Sequence, residues 1–135
     1  MTGTARKPTP MMPAANRMPA ASEDVIAGYE QLIARARDLR IIGATLTPFP
    51  ETFQGTPLHG YYSEEKEAKR AAINEWIRAS EKLDGVIDFD AVTRNPDSPK
   101  HIRAEHDEGD HLHPNDAGYR AMAESVDLKL LGVGP

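Results

Sequence analysis

Gly109-Asp110-His111-Leu112-His113-Pro114-Asn115-Asp116-Ala117-Gly118-Tyr119 is the stretch on which the reading of this chain turns. It sets a carboxylate three residues ahead of an imidazole and then opens a helix. Neutral imidazole is the usual general base near neutral pH, and it needs an acceptor on its other nitrogen. Asp110, on a tight turn, can bend back and supply that acceptor to His113. Pro114 and an Asn115 cap set where the next helix begins, and hence where His113 points. The plain alternative is a surface turn with two polar residues, which is what most isolated Asp-x-x-His matches are.

Upstream of this block, strands and helices alternate. Ser22 is a plausible N-cap with Glu23 and Asp24 behind it, where the helix dipole favours negative charge. Val25, Ile26, Tyr29, Leu32, Ile33 and Ala36 recur at helical spacing, predicting an amphipathic helix to about Leu39. Ile41 to Thr47 is almost uncharged and predicts a strand buried on both faces, as in a parallel sheet. Phe49 to Tyr62 reads as a long loop in which Phe49, Phe53, Tyr61 and Tyr62 either line a pocket or cover the core. Ser63 caps a second helix whose buried stripe is Ala68, Ala72, Ile73, Trp76 and Ile77. Gly85 to Phe89 predicts a second strand, and 95–108 a polar loop. The last helix starts at Asn115 and carries Tyr119, Met122, Ala123, Val126 and Leu130 on one side. Helices between strands imply crossover connections and a parallel sheet.

Composition bounds the function. At 135 residues the chain holds one domain at most, and its 39% hydrophobic and 27% charged content is that of a soluble globular protein. A formal net charge of −5 argues against nucleic acid as a partner. No apolar run reaches the roughly 18 residues of a membrane span. The absence of cysteine excludes disulfides, thiolate chemistry and Cys-ligated zinc. Residues 1–21, with four of the eleven prolines, are expected to form a disordered or loosely packed leader. Pro8, Pro10 and Pro13 break any signal-peptide core, so none is expected. The compartment stays open, with the cytoplasm slightly favoured.

The string Gly109 to Tyr119 resembles the C-terminal block of SGNH (GDSL-type) serine hydrolases. Ala44 to Pro48 resembles the penultimate strand of that family and its exit, Asn74 to Arg78 the helix that follows, and Asp84 to Asp90 the last strand. The resemblance implies a partial flavodoxin-like, three-layer α/β/α fold over residues 22–131, with residues 132–135 as a tail. It implies that Asp110 is the acid and His113 the base of a Ser-His-Asp triad. It also implies hydrolysis of short-chain acyl esters, small-molecule substrates, without a cofactor. The family's Gly-Asp-Ser-Leu nucleophile block and its oxyanion-hole blocks have no match here, so the first strands are expected to be absent and the nucleophile is unassigned.

Two further expectations follow. A sheet without its first strands leaves an open edge, predicting a homo-oligomer or a complementing chain docked there. Ser22, Ser63, Ser80, Ser98 and Ser125 each have a structural explanation that outweighs a catalytic one, as do Thr45 and Thr47. His106, Asp107, Asp110, His111 and His113 also form a possible metal set, but the triad reading already uses two of them and no metal is assigned. The competing function is a non-catalytic binding or assembly module built on the family's C-terminal half.

Overall fold

The computed structural model describes residues 20–36 and 38–132. In chain order these form α1 (Ser22–Arg35), β1 (Ile42–Ala44), α2 (Glu64–Ala79), β2 (Gly85–Ile87), α3 (Phe89–Thr93) and α4 (Asp116–Glu124), with 3-10 turns at Ala104–His106 and Leu128–Leu131. β1 and β2 pair in parallel, with Ile42 opposite Gly85 and Ala44 opposite Ile87, and α2 makes the crossover. The class is therefore α/β with a small parallel sheet, as the alternation of elements predicts. The expected leader falls outside the described residues up to residue 19, and the tail does so beyond residue 132.

Local chemistry moves several boundaries. Ser22 lies inside α1 and does not cap it. Ala21 holds the cap position, and its N–H donates to the Asp24 carboxylate at 3.2 Å. The helix stops at Arg35, short of Leu39. β1 is shorter than Ile41 to Thr47, and it is not buried on both faces: Ile42 and Gly43 are half-buried and Ala44 is exposed. Its ladder stops because the Asn74 carboxamide takes over Leu46, accepting its N–H at 2.7 Å and donating to its C=O at 2.9 Å. A side chain here does what a neighbouring strand would do. Phe89, expected in the second strand, instead opens α3, because Asp88 caps that helix by accepting the Ala91 N–H at 3.1 Å. α4 ends at Glu124, and Asp127 starts a separate turn that carries Leu130.

Ser63 does cap α2, accepting the Lys66 N–H at 3.2 Å. Of the expected α2 stripe, Ile73 and Ile77 are buried, Ala72 and Trp76 are half-buried, and Ala68 is exposed. Trp76 stacks on Tyr29 with ring centroids 6.0 Å apart, which ties α1 to α2. α1 itself buries no residue, and Leu32 is 62% exposed. Among the described residues, the outer edge of β1 has no partner strand.

The interior where the two strands end is polar. Arg70 is buried, with Nε and Nη2 donating to the Glu67 carboxylate at 2.8 and 2.7 Å. Its Nη1 reaches Asp90 at 2.6 Å and the Leu46 carbonyl at 2.9 Å. Arg78 forks onto Asp88 at 2.8 Å twice and reaches Asp90 at 2.6 Å. The Thr45 hydroxyl closes the knot between Asp88 and the Asp90 N–H, at 2.8 and 2.9 Å. Arg78, with help from Thr45 and the Ala91 amide, pulls the Asp88 carboxyl down to about 2. Every charge in this knot is met by a partner, as buried charge requires. It pins α2 to the strand ends and gives the loops beyond them a fixed base.

Candidate active site

The segment from Asp107 to Asn115 is built from its own short-range hydrogen bonds. Asp110 Oδ1 accepts the backbone N–H of Leu112 at 2.9 Å and of His113 at 2.8 Å. That leaves Oδ2 facing His113 Nδ1 at 2.6 Å. An ionised carboxylate only accepts, so Nδ1 carries the proton and donates it to Asp110. Nε2 is then the acceptor nitrogen of the neutral ring. It meets no protein group among the described residues, and the His113 side chain is 58% exposed. The His113 amide, then its imidazole and the Leu112 amide, hold the Asp110 carboxyl down at about 2. Asp110 therefore stays ionised wherever an imidazole can act as a base.

Asn115 fixes the far end of the segment. Its side-chain oxygen caps α4 at the Gly118 N–H, 2.9 Å away, while its Nδ2 donates to the carbonyls of Glu105 and Asp107, both at 3.1 Å. Gly118 is needed at that spot for space: a Cβ there would lie 2.7 Å from the His106 carbonyl oxygen. The block Pro-Asn-x-x-Gly thus seats the helix directly against the turn before it.

The long loop after β1 supports the other side. It is compact, with Phe49 edge-on to Tyr62 at 5.3 Å and Phe53 edge-on to Tyr61 at 5.6 Å. Thr52 is buried, and its hydroxyl meets both the Phe49 carbonyl and the His111 carbonyl, the latter at 3.0 Å. The Phe53 N–H donates to the Asp110 carbonyl at 3.3 Å. Glu51, Phe53 and His111 are the described non-glycine residues with positive φ, and all three lie where these loops meet. A cleft of about 510 Å³ opens between this loop and α2, lined by Leu46, Phe49, Tyr61, Lys66, Ile73 and Leu112 among others. Of the four loop aromatics, Phe49 and Tyr61 line this cleft, and Phe53 and Tyr62 do not. Leu112 brings the Asp–His turn to its wall, while His113 stands outside it.

The second constellation contains a second acid–imidazole pair. Asp107 pairs with His111, Oδ2 to Nδ1 at 2.5 Å, in the same manner as Asp110 with His113. Among the described residues no three His, Cys, Asp or Glu side chains converge on one point. The duplicated spacing, an acid three or four residues before an imidazole, was visible in the sequence; the pairing was not.

All five serines have local partners. Ser22 donates to Glu23, Ser63 caps α2, Ser80 accepts the Lys82 N–H, Ser98 meets His101 Nδ1 at 2.7 Å, and Ser125 donates to the Met122 carbonyl. None meets His113. Thr45 is held in the buried knot between Asp88 and Asp90.

The model of the GDSL-like Lipase/Acylhydrolase family matches residues 5–121 of this chain. The match runs from within the expected leader, through both strands, into α4. No curated protein matches the chain significantly.

Proposed function

Because the chain belongs to the GDSL-like lipase/acylhydrolase family, we propose that Asp110 and His113 are the acid–base pair of an ester-hydrolysing site. His113 Nε2 takes the proton of a serine hydroxyl as that oxygen attacks the acyl carbon, and returns it to the departing alcohol. The same nitrogen then activates water to release the acyl group. Asp110 orients the ring and stabilises the imidazolium that forms in each step. The observation that carries this reading is the 2.6 Å contact between Asp110 Oδ2 and His113 Nδ1, with Nε2 left open. Short-chain acyl esters are the proposed substrates, and the apolar cleft beside Leu112 is the proposed seat of the acyl chain.

The serine is proposed to come from outside this set of residues, either from a second chain (another copy or a complementing one) docked along the open edge of β1 or from an N-terminal segment of the fold, as none of the five serines meets His113. A second reading, a non-catalytic binding module, draws on that same observation. p-Nitrophenyl acetate or butyrate turnover, with and without a serine-directed phosphonate, separates the two. The first reading expects phosphonate-sensitive turnover that rises as the imidazole loses its proton and disappears in His113→Ala. Mass mapping of the labelled residue then names the nucleophile. A folded sample no faster than free imidazole, both alone and as the complex isolated from its own cells, favours the second.

A further inference from the structure

The turn that carries the proposed acid–base pair contains a second Asp–His pair, and its bonds fall on the backbone that flanks Asp110. Asp107 Oδ1 accepts the N–H of Gly109 at 2.8 Å and the N–H of His111 at 3.1 Å, while Oδ2 takes the His111 ring. Gly109 has φ +106° and His111 has φ +59°. Glycine adopts such a backbone freely; histidine does so only against steric resistance, and persists there when its surroundings hold it. His111 is held at three points: N–H and ring by Asp107, carbonyl by the buried Thr52 hydroxyl. The Asp107 side chain is 10% exposed, against 30% for Asp110. Asp107 has the burial of a structural anchor, and Asp110 the access of a working group.

We propose that Asp107 and His111 are positioning residues for the Asp110–His113 pair. Asp107 clamps His111 into a left-handed turn, and that turn aims the Asp110 carboxylate at His113 Nδ1. What the clamp holds is the left-handed backbone at His111, and the His111 imidazole is not a base of its own. The inference rests on reading Asp110–His113 as the acid–base pair, so its test has a readout that needs no turnover.

That readout is the pair of ring ¹⁵N shifts of His113, which report whether Nδ1 carries the proton. Two substitutions at one position separate backbone from side chain. His111→Gly removes the imidazole but accepts the left-handed φ, whereas His111→Ala removes the imidazole and resists it. The expected pattern is a wild-type His113 signature in His111→Gly and a mixed-tautomer signature in His111→Ala and Asp107→Asn. Where turnover is present it should follow the same order, within about twofold of wild type for the glycine variant and down roughly tenfold for the other two.

Equal loss of the signature in His111→Gly and His111→Ala overturns the proposal, and so does a wild-type signature in folded Asp107→Asn. If Asp107→Asn does not fold, the two His111 variants decide alone. Turnover that survives His113→Ala while the ring signatures follow the expected order sinks the acid–base reading and leaves the clamp standing.

Discussion

Two carboxylates of this molecule, Asp110 and Asp88, are pulled down to about 2, and they reach that state by opposite routes. Asp110 is held by groups of its own turn: the amide and ring of His113, then the amide of Leu112. Asp88 is held first by the guanidinium of Arg78, ten residues earlier on α2, with Thr45, just past the end of β1, behind it. The Asp88 knot is fully paired, because Arg70, Arg78, Glu67, Asp88 and Asp90 satisfy one another, even though Arg78 and Asp88 are each about one-third exposed. The Asp110 turn is open, because its imidazole still has a nitrogen facing outward. Similar acidity therefore accompanies two roles. A carboxylate whose partners are arginines from other elements fastens the frame, and one whose partner is a half-exposed imidazole can take part in proton transfer.

Substitutions can break that distinction. The largest expected effect is His113→Ala, which should lower ester turnover roughly 10³-fold or more, as loss of a triad base does, with only a small drop in the thermal midpoint from the lost contact with Asp110. A fall in stability equal to the fall in rate would place His113 in the frame. Next comes Asp90→Ala. Asp90 is 3% exposed and meets Arg70, Arg78 and Arg94. Its loss leaves buried positive charge and should cost about 3–5 kcal/mol in urea unfolding. A cost under about 1 kcal/mol, the worth of a surface pair, would mean that the knot is not a frame at all.

Acid sharpens the comparison further. Both folded carboxyls lie below the ordinary aspartate value of about 3.9, so each contributes stability that is fully present above that value. The contribution is lost as pH falls from there toward 2. Asp88→Asn should flatten the loss of the urea midpoint over that window, and Asp110→Asn should flatten it less, because its partners belong to a single turn. Equal flattening would erase the difference between the two sites. The smallest expected effect is Asn115→Ala, at about 1 kcal/mol for the lost cap on α4. Its Nδ2 bonds to the Asp107 and Glu105 carbonyls make a loss of turnover the more sensitive readout.

Much of the site was legible because it is local. Asp110 to His113, Asn115 to Gly118 and Ser63 to Lys66 are all contacts three residues apart, and side chains of those types form them within one turn of chain. The same logic failed at Ser22, where Asp24 does the capping from inside the helix. It failed again at Phe89, where Asp88 starts a helix that β-like composition concealed. The spacing in α2 predicts an apolar stripe, yet Glu67, Arg70 and Asn74 are buried beside Ile73 and Ile77. A periodicity argument assigns polar residues to solvent, and has no way to know that Asp90 and Leu46 will be there to meet them.

The sequence by itself determined the helix starts at Ser63 and Asn115, the parallel order of the strands and the pairing of Asp110 with His113, since short-range hydrogen bonds and periodicity need no knowledge of the rest of the chain. Tertiary structure alone decided that Asn74 ends β1, that Arg70 ties α2 to Asp90, and that Thr52 braces His111 across 59 residues. Those contacts depend on where separate elements come to rest. A polar side chain brought into the interior must find its partner there or pay the full cost of leaving water.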